Sequence, residues 1–401
     1  MLKNIQGLLK KYNKKAWVML NSENSDEFFC NNITNKLSTR TICVITQKDV
    51  YMIVNKLDEK NTSMLDINKN NIFIYSTTEE LNEILSDVFS QELFPRKISL
   101  SYSTSGDLNT DIMSHGTYIY ITKVIKEVYS KYNKRVKFDS AEDIMYDVLS
   151  KKTDIQIQRL KLIANITDRI LEETFKNIRV GDSEIQIANI TKRCAKDIMK
   201  LYIGSNDICA YDMAWDNCPI VLTGKNLEKG GHSYPTDKKL LKGDTIYFDF
   251  GIKVTFIDNT SLYTDMQRMG YASIDNKIPK EVQRVFDTLV SSIEDGMDEM
   301  RPDVKGFEID DLVRGKILKA GYPDYLHATG HPVGCKVHDI GAVISLRGGK
   351  LANKSLVENG VYTLEPRVNI QNGGSIEEMI QVTKYGGIPL CNPQKKLYIV
   401  K

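Results

Sequence analysis

Histidine is scarce in this chain, with five among 401 residues. Cysteine occurs seven times but always singly, and no Cys-x-x-Cys pair exists. An odd set of scattered thiols argues against a disulfide framework and a zinc ribbon. It points to the reduced thiols of a cytoplasm. Charge of one sign is missing too. The formal net charge is +2, so no basic field marks the chain for nucleic acid or an anionic membrane surface. No run reaches the roughly 18 apolar residues of a membrane span. The lysine-laced segment 1–20 is expected to be the first helix of a folded domain and not a secretory signal or a surface anchor. Internal repeats and low-complexity tracts are absent. What remains is ordinary globular sequence, 41% hydrophobic and 26% charged, long enough for two or three domains.

The first 150 residues alternate strand and helix signals. Runs rich in β-branched and aromatic residues at Thr41–Thr46 and Val50–Val54 flank a turn. Further strands are expected at Asn71–Ser76, Lys97–Tyr102 and Tyr118–Thr122. Thr77 with Glu80 forms a capping box that opens a helix to about Leu93. The pattern predicts a compact α/β domain over 1–150. Its lone His115 is expected to be structural or on the surface. A boundary falls near Ser150–Thr153. Leu160, Ile163, Ile166 and Ile170 then recur at helical spacing, and a second helix follows the break at Gly181, through about Lys200. Strands are expected at Ile220–Thr223, Thr245–Thr255 and Ser261–Tyr271, and helices at Pro279–Met300 and Glu308–Lys319. The end is strand-rich again, from Val361–Asn369 to Met379–Thr383.

Four of the five histidines fall into two short segments. His232 lies in Gly-Gly-His-Ser-Tyr-Pro; His327, His331 and His338 lie in His-Ala-Thr-Gly-His-Pro-Val-Gly-Cys-Lys-Val-His-Asp. Imidazoles used as core filler would scatter. Strand-like contexts hold four carboxylates: Asp249, Asp265, Glu365 before a proline, and Glu377. Imidazole with several carboxylates is the ligand set of a hard or borderline divalent cation. Ile257–Thr260 suits a turn, so Asp249 and Asp265 can sit on paired antiparallel strands and face one side. Asp258, in that turn, is an alternative second ligand. Cys335 reads as a small packed residue, because no base stands beside it as a cysteine nucleophile needs.

Taken in order, Phe-Asp-Phe-Gly, Tyr-Thr-Asp-Met-Gln-Arg, the histidine segment, Leu-Glu-Pro and Ile-Glu-Glu-Met resemble the pita-bread metallopeptidases. That family includes aminopeptidase P, prolidase, methionine aminopeptidase and creatinase. The resemblance covers about 154–401. The segment before it looks like the creatinase-type N-terminal domain, which points to the aminopeptidase P and prolidase branch. The implied fold is α/β (α+β): a creatinase-like N-terminal α/β domain at 1–150, then a pita-bread catalytic domain at 154–401.

The resemblance implies five ligands around two divalent ions. Asp249 would hold one ion, His331 and Glu365 the other, and Asp265 and Glu377 would bridge both. Such a donor set leans towards Mn²⁺, with Co²⁺, Zn²⁺ or Fe²⁺ also compatible. Two ions roughly 3.5–4 Å apart ready a water for attack, and Glu365 is the implied general base. His338 and His327 are implied to contact substrate and to stabilise the tetrahedral intermediate. His232, 17 residues before Asp249, is implied to line the substrate pocket. The implied substrates are short peptides with proline at the second position, and a homodimer is the implied assembly. Prolidase activity, a non-peptide amide hydrolase and a catalytically silent scaffold of the same fold are the alternatives.

Two features depart from the family's pattern. Asp265 follows Asp249 by 16 positions, a longer interval than usual, which a longer hairpin tip would absorb. Ser375 stands where many relatives carry an arginine that can engage a substrate carboxylate. Arg367 and Arg268 are the candidates to compensate.

Overall fold

The computed structural model describes residues 1–229, 233–273 and 275–401. The chain divides into two compact units, Met1–Leu149 and Ser150–Lys401. Among the described residues, no helix is long and apolar enough to cross a membrane.

The first unit is built on a six-stranded sheet. In chain order its elements are α1 (Leu2–Lys11), β1 (Ala16–Asn21), α2 (Glu27–Asn32), β2 (Thr41–Thr46), β3 (Val50–Asn55), β4 (Ile72–Tyr75), α3 (Thr78–Gln91), β5 (Lys97–Leu100), α4 (His115–Lys131), β6 (Lys137–Ser140) and α5 (Glu142–Leu149). The strands lie in the order β4-β3-β2-β1-β5-β6. Successive residues of β1 alternate between two cores. Val18 and Leu20 pack with α3 and α4 residues such as Leu85 and Ile125. Trp17 and Met19 pack with Ile5 and Leu9 of α1 and Met145 of α5. The Thr77–Glu80 capping box opens α3 as its sequence predicts.

The expected strand at Tyr118–Thr122 is helix instead, inside α4. Ser114 caps that helix by accepting from the Thr117 N–H. Ile121, Val124, Ile125 and Val128 are buried along one side, and this 3.6-residue period over a long segment outweighs the local β-preference of Tyr-Ile-Tyr-Ile-Thr. His115, at the start of α4, is exposed.

The second unit repeats one theme, a helix pair followed by antiparallel strands. Its first part holds α6 (Asp154–Asn177), α7 (Glu184–Met199), β7 (Ile208–Met213), β8 (Ile220–Thr223), β9 (Thr245–Phe250), β10 (Ile252–Phe256), β11 (Ser261–Tyr263) and β12 (Met266–Ala272). Its second part holds α8 (Lys280–Glu299), α9 (Gly306–Lys319), α10 (Gly349–Ala352), β13 (Val361–Leu364), β14 (Arg367–Val368), β15 (Gly374–Ser375), β16 (Glu378–Thr383), β17 (Gly386–Pro389) and β18 (Tyr398–Val400). Capping boxes at Thr153 and Ser183 open the first helix pair. Ile246, Phe248 and Phe250 of β9 pack against that pair. Met269 and Tyr271 of β12, with β13 and β16, pack against α8 and α9.

The long strand expected over Thr245–Thr255 is two strands in two sheets. β9 lies between β8 and β12, whereas β10 lies between β7 and β11. The break is Gly251, where an added Cβ would stand 2.0 Å from the carbonyl oxygen of Thr264. Only glycine permits that approach. The strand expected over Ser261–Tyr271 divides likewise into β11 and β12.

Candidate metal centre

Each acidic residue of the centre is presented by a strand or its end. Asp249 is the next-to-last residue of β9. Its neighbours Phe248 and Phe250 face the helix pair, so Tyr247 and Asp249 face the other way. The Tyr247 hydroxyl donates to Asp249 Oδ2 at 3.1 Å. Asp265 lies just before β12 and is buried. Its place off the ladder differs from the expected pair of facing strand residues. The residue opposite Asp249 is Gln267.

His331 and Glu365 are brought together by main chain. The Thr363 N–H donates to the His331 carbonyl at 2.8 Å, and the Glu365 N–H to the Thr329 carbonyl at 2.7 Å. Gly330 makes this close approach possible, because a Cβ there would sit 2.0 Å from the Thr363 carbonyl oxygen. Glu377 is fully buried. Its N–H donates to the Gln267 carbonyl at 3.2 Å, which fixes it beside β12.

The side chains converge on the imidazole of His331. Its Nδ1 lies 3.1 Å from the Pro332 carbonyl oxygen. A carbonyl only accepts, so Nδ1 carries a proton, and the neutral ring presents the lone pair of Nε2. That lone pair faces Asp265 Oδ2 at 3.6 Å, Glu365 Oε1 at 3.7 Å and Glu377 Oε1 at 3.9 Å. Ligand atoms of Asp265, His331 and Glu377 all lie within 4.8 Å of one another, a group that could hold a metal ion.

Electrostatics agree with that reading of the cluster. Burial, then the Asp249 and Glu365 charges, push the Asp265 carboxyl well above its usual range. Burial and Asp265 do the same to Glu377. Burial and Asp249 push Glu365 up to about 8. Asp265 Oδ1 and both carboxylate oxygens of Glu377 are buried and receive no hydrogen bond from the described residues. Leaving buried ionised oxygens unpaired costs on the order of several kcal/mol each. A divalent cation among them removes that cost, so the donor set fits such an ion.

The remaining predicted residues differ in placement. His338 is exposed, with its ring edge-on to His331 at 4.4 Å. Its segment is held by Asp339, which pairs with the buried Lys152 at 3.2 Å and accepts from the Cys335 N–H at 2.7 Å. His327 is half-buried against Tyr325 at 4.8 Å. Burial lowers its imidazole to about 4. His232 lies outside the described residues. Glu184, fully buried, accepts from the Thr223 and Thr236 N–H groups and so ties down both flanks of the segment that carries it. Asp258 pairs with Arg159 at 2.8 Å and is half-exposed, which removes it as a ligand.

The two candidate arginines differ in their partners. Arg268 is fully buried, paired with Asp168 at 2.9 Å and Glu378 at 3.2 Å. It also donates to the carbonyls of Gln267 and Glu377, each at 3.0 Å. Arg367 stands directly opposite Ser375 in the β14–β15 pair. Its guanidinium covers the Tyr247 ring at 4.9 Å and donates to the Leu227 carbonyl at 2.9 Å. Tyr247 and Gln267 were not singled out by sequence reasoning. The alternation of a strand, which sets residues two apart on one face, was the available signal.

The sequence pattern of metallopeptidase family M24 matches residues 158–384. YkvY of Bacillus subtilis is 30% identical over 272 residues, 66% of each chain. The Xaa-Pro dipeptidase of Pyrococcus horikoshii is 24% identical over 276 residues, 68% of this chain and 71% of that one. The chain thus spans about two thirds of the length of these curated relatives. The crystal structure of an X-Pro aminopeptidase from Thermotoga maritima shares the fold, with a TM-score of 0.68 at 21% identity over 96% of this chain and 97% of that one.

Proposed function

Because the chain belongs to metallopeptidase family M24 and has its pita-bread fold, we propose that it is a dinuclear metal-dependent peptidase cleaving short peptides between an N-terminal residue and proline. The observation that carries this reading is the buried meeting of Asp265, His331 and Glu377, with Glu365 against the same imidazole. Asp249 would hold one ion, His331 and Glu365 the second, and Asp265 and Glu377 both. The oxygen-rich donors favour Mn²⁺. When bound, such ions supply Lewis-acid polarisation and a more acidic water.

The chain's own residues supply the rest. Around His331, Glu365 keeps 17% of its side chain exposed, against 9% for Asp265 and 1% for Glu377. Of these three it is therefore the carboxylate best placed to take a proton from water and pass it to the leaving nitrogen. His327 donates through Nδ1 to the Ala328 carbonyl, so its Nε2 accepts and suits a substrate N–H better than an oxyanion. His338, exposed beside His331, takes the role of stabilising the tetrahedral intermediate, and His232 that of lining the pocket. The Xaa-Pro bond is a tertiary amide without an N–H, so recognition has to come from groups around it. A homodimer in a reducing cytoplasm is the expected setting.

A dipeptidase reading has one observation in its favour. Among the described residues, Arg367 is a buried guanidinium with no carboxylate in ion-pair reach, and it sits across from Ser375. A free substrate carboxylate would neutralise it, which favours Xaa-Pro dipeptides.

The experiment is hydrolysis of a peptide panel by metal-stripped protein, with and without Mn²⁺. The panel contains Xaa-Pro dipeptides, Xaa-Pro-Yaa peptides and Xaa-Ala controls. Mn²⁺-dependent loss of the residue before proline supports the reading, and length preference separates aminopeptidase from dipeptidase. Intact Xaa-Pro peptides throughout would reject it.

A further inference from the structure

We propose that Gln267 is a positioning residue of the metal centre, whose carboxamide fixes which oxygen of Glu365 is presented to an ion. The proposal rests on the metallopeptidase reading and adds a residue to it.

The backbone of Gln267 is strapped between two of the acidic residues. On β12 it lies directly opposite Asp249 of β9. On its other side it makes an isolated bridge to Glu377. Arg268 holds the carbonyls of Gln267 and Glu377 at 3.0 Å each, so the two segments cannot slide past one another. Opposed residues of an antiparallel pair share a face. The Gln267 side chain therefore leaves its strand on the side where Asp249 points.

From there the carboxamide reaches Glu365. Nε2 of Gln267 donates to Glu365 Oε2 at 3.1 Å. The other oxygen, Oε1, is the one that faces His331 Nε2. The two oxygens of Glu365 are thus sorted, one held by an amide and one turned to the imidazole. With Glu365 ionised, as a metal ligand is, the reversed amide would set its oxygen against a carboxylate oxygen. The orientation adopted leaves Gln267 Oε1 buried and without a partner. A side chain serving only as strand packing would not be expected to keep an unpaired buried oxygen. The arrangement is one in which the donor is committed to Glu365 and the acceptor is left over.

The consequence is specific to the ion shared by His331 and Glu365. Without the amide, Glu365 can rotate and either chelate through both oxygens or turn away. Residues that orient metal ligands change metal affinity or activity by about 10–100-fold when removed.

The test compares wild type with Gln267→Met, which keeps the length and loses the donor. Gln267→Leu is a second variant should the first fail to fold. Metal-stripped protein is titrated with Mn²⁺ by calorimetry and with Co²⁺ by visible absorption. Neither readout needs substrate. The expected result is one ion binding as in wild type, the other about 10–100-fold more weakly, and an altered Co²⁺ spectrum. In peptide assays kcat falls while KM holds. Folded variants with unchanged isotherms and Co²⁺ spectrum would overturn the proposal. Wild type that binds neither cation would overturn it together with the metallopeptidase reading. Metal uptake without peptide cleavage would overturn the peptidase reading alone, while weaker uptake by the variants would still support the role of Gln267.

Discussion

Nδ1 of His327 lies 2.7 Å from the carbonyl oxygen of Ala328, the next residue in the chain. The contact commits the ring to one tautomer, and burial keeps it neutral by lowering its pKa from 6.5 to about 4. An unfolded histidine takes up a proton near 6.5, so this residue costs stability as pH falls from 6.5 towards 4. His327→Ala is expected to lose roughly 1–3 kcal/mol of substrate interaction, read as kcat/KM. Its acid unfolding should also begin at lower pH than in wild type. An acid limb that is unchanged in the variant would contradict the neutral ring.

The carboxylate cluster carries the opposite pH signature. A raised folded pKa means stability that is complete below the unfolded value and is lost as pH rises through the folded value. For Glu365 that window runs from its ordinary 4.5 to about 8, and burial places Asp265 and Glu377 in the same sense. Metal-stripped protein should therefore melt at progressively lower temperature as pH rises across this window, while Mn²⁺-loaded protein should not. Metal uptake at neutral pH should release protons, measurable by calorimetry in two buffers of different ionisation enthalpy.

Arg268→Met should be one of the more damaging changes in the second unit. It strands Glu378 and Asp168 and frees the carbonyls of Gln267 and Glu377. Removing one partner of a buried ion pair costs about 3–5 kcal/mol, read from the urea midpoint. A shift near zero would mean that the network is far wetter than its burial implies.

If Arg367 receives a substrate carboxylate, Arg367→Met should lower kcat/KM for an Xaa-Pro dipeptide by roughly 1.5–3 kcal/mol. It should leave a C-terminally amidated dipeptide almost unchanged. Equal losses on both peptides would assign Arg367 to support of Tyr247 and Leu227 instead.

Asp258→Ala removes a half-exposed ion pair with Arg159. It should cost about 0–1 kcal/mol of stability and leave metal content unchanged, whereas Asp265→Ala should lose metal. Metal analysis of the two variants decides between the two aspartates.

Much of this architecture was legible because local chemistry repeats a few devices. Thr77–Glu80, Thr153–Gln156 and Ser183–Gln186 cap helices in the structure, and the first of these reads directly from sequence. The convergence of Asp265, His331, Glu365 and Glu377 follows residues that the sequence already sets apart by type and context. Sequence reasoning failed where tertiary context decides. Tyr118–Thr122 has strand composition but shares its buried side with α4. Ala16–Asn21 forms a strand where the end of the first helix is expected, and Ile208–Met213 forms a strand that no sequence pattern marks. The first follows a helix closely, and the second exposes much of its surface, so neither shows a clean pattern. Gly251 conceals a change of sheet inside what reads as one strand. Gln267 was invisible because its importance lies in a partner 98 positions away.

The change of sheet at Gly251 also marks a place where the second unit can lengthen. Beyond it, β10 and β11 run out to a tip where Ile257 and Asn259 are exposed and Asn259 takes a left-handed backbone with φ of 64°. Residues added there extend an arm anchored by β7 on one side, while Asp249 stays in the other sheet, paired with Gln267. A foreign peptide spliced after Asn259 would therefore ride at the end of that arm. The protein offers a carrier site for a tag or binding epitope at a tip in a different sheet from Asp249.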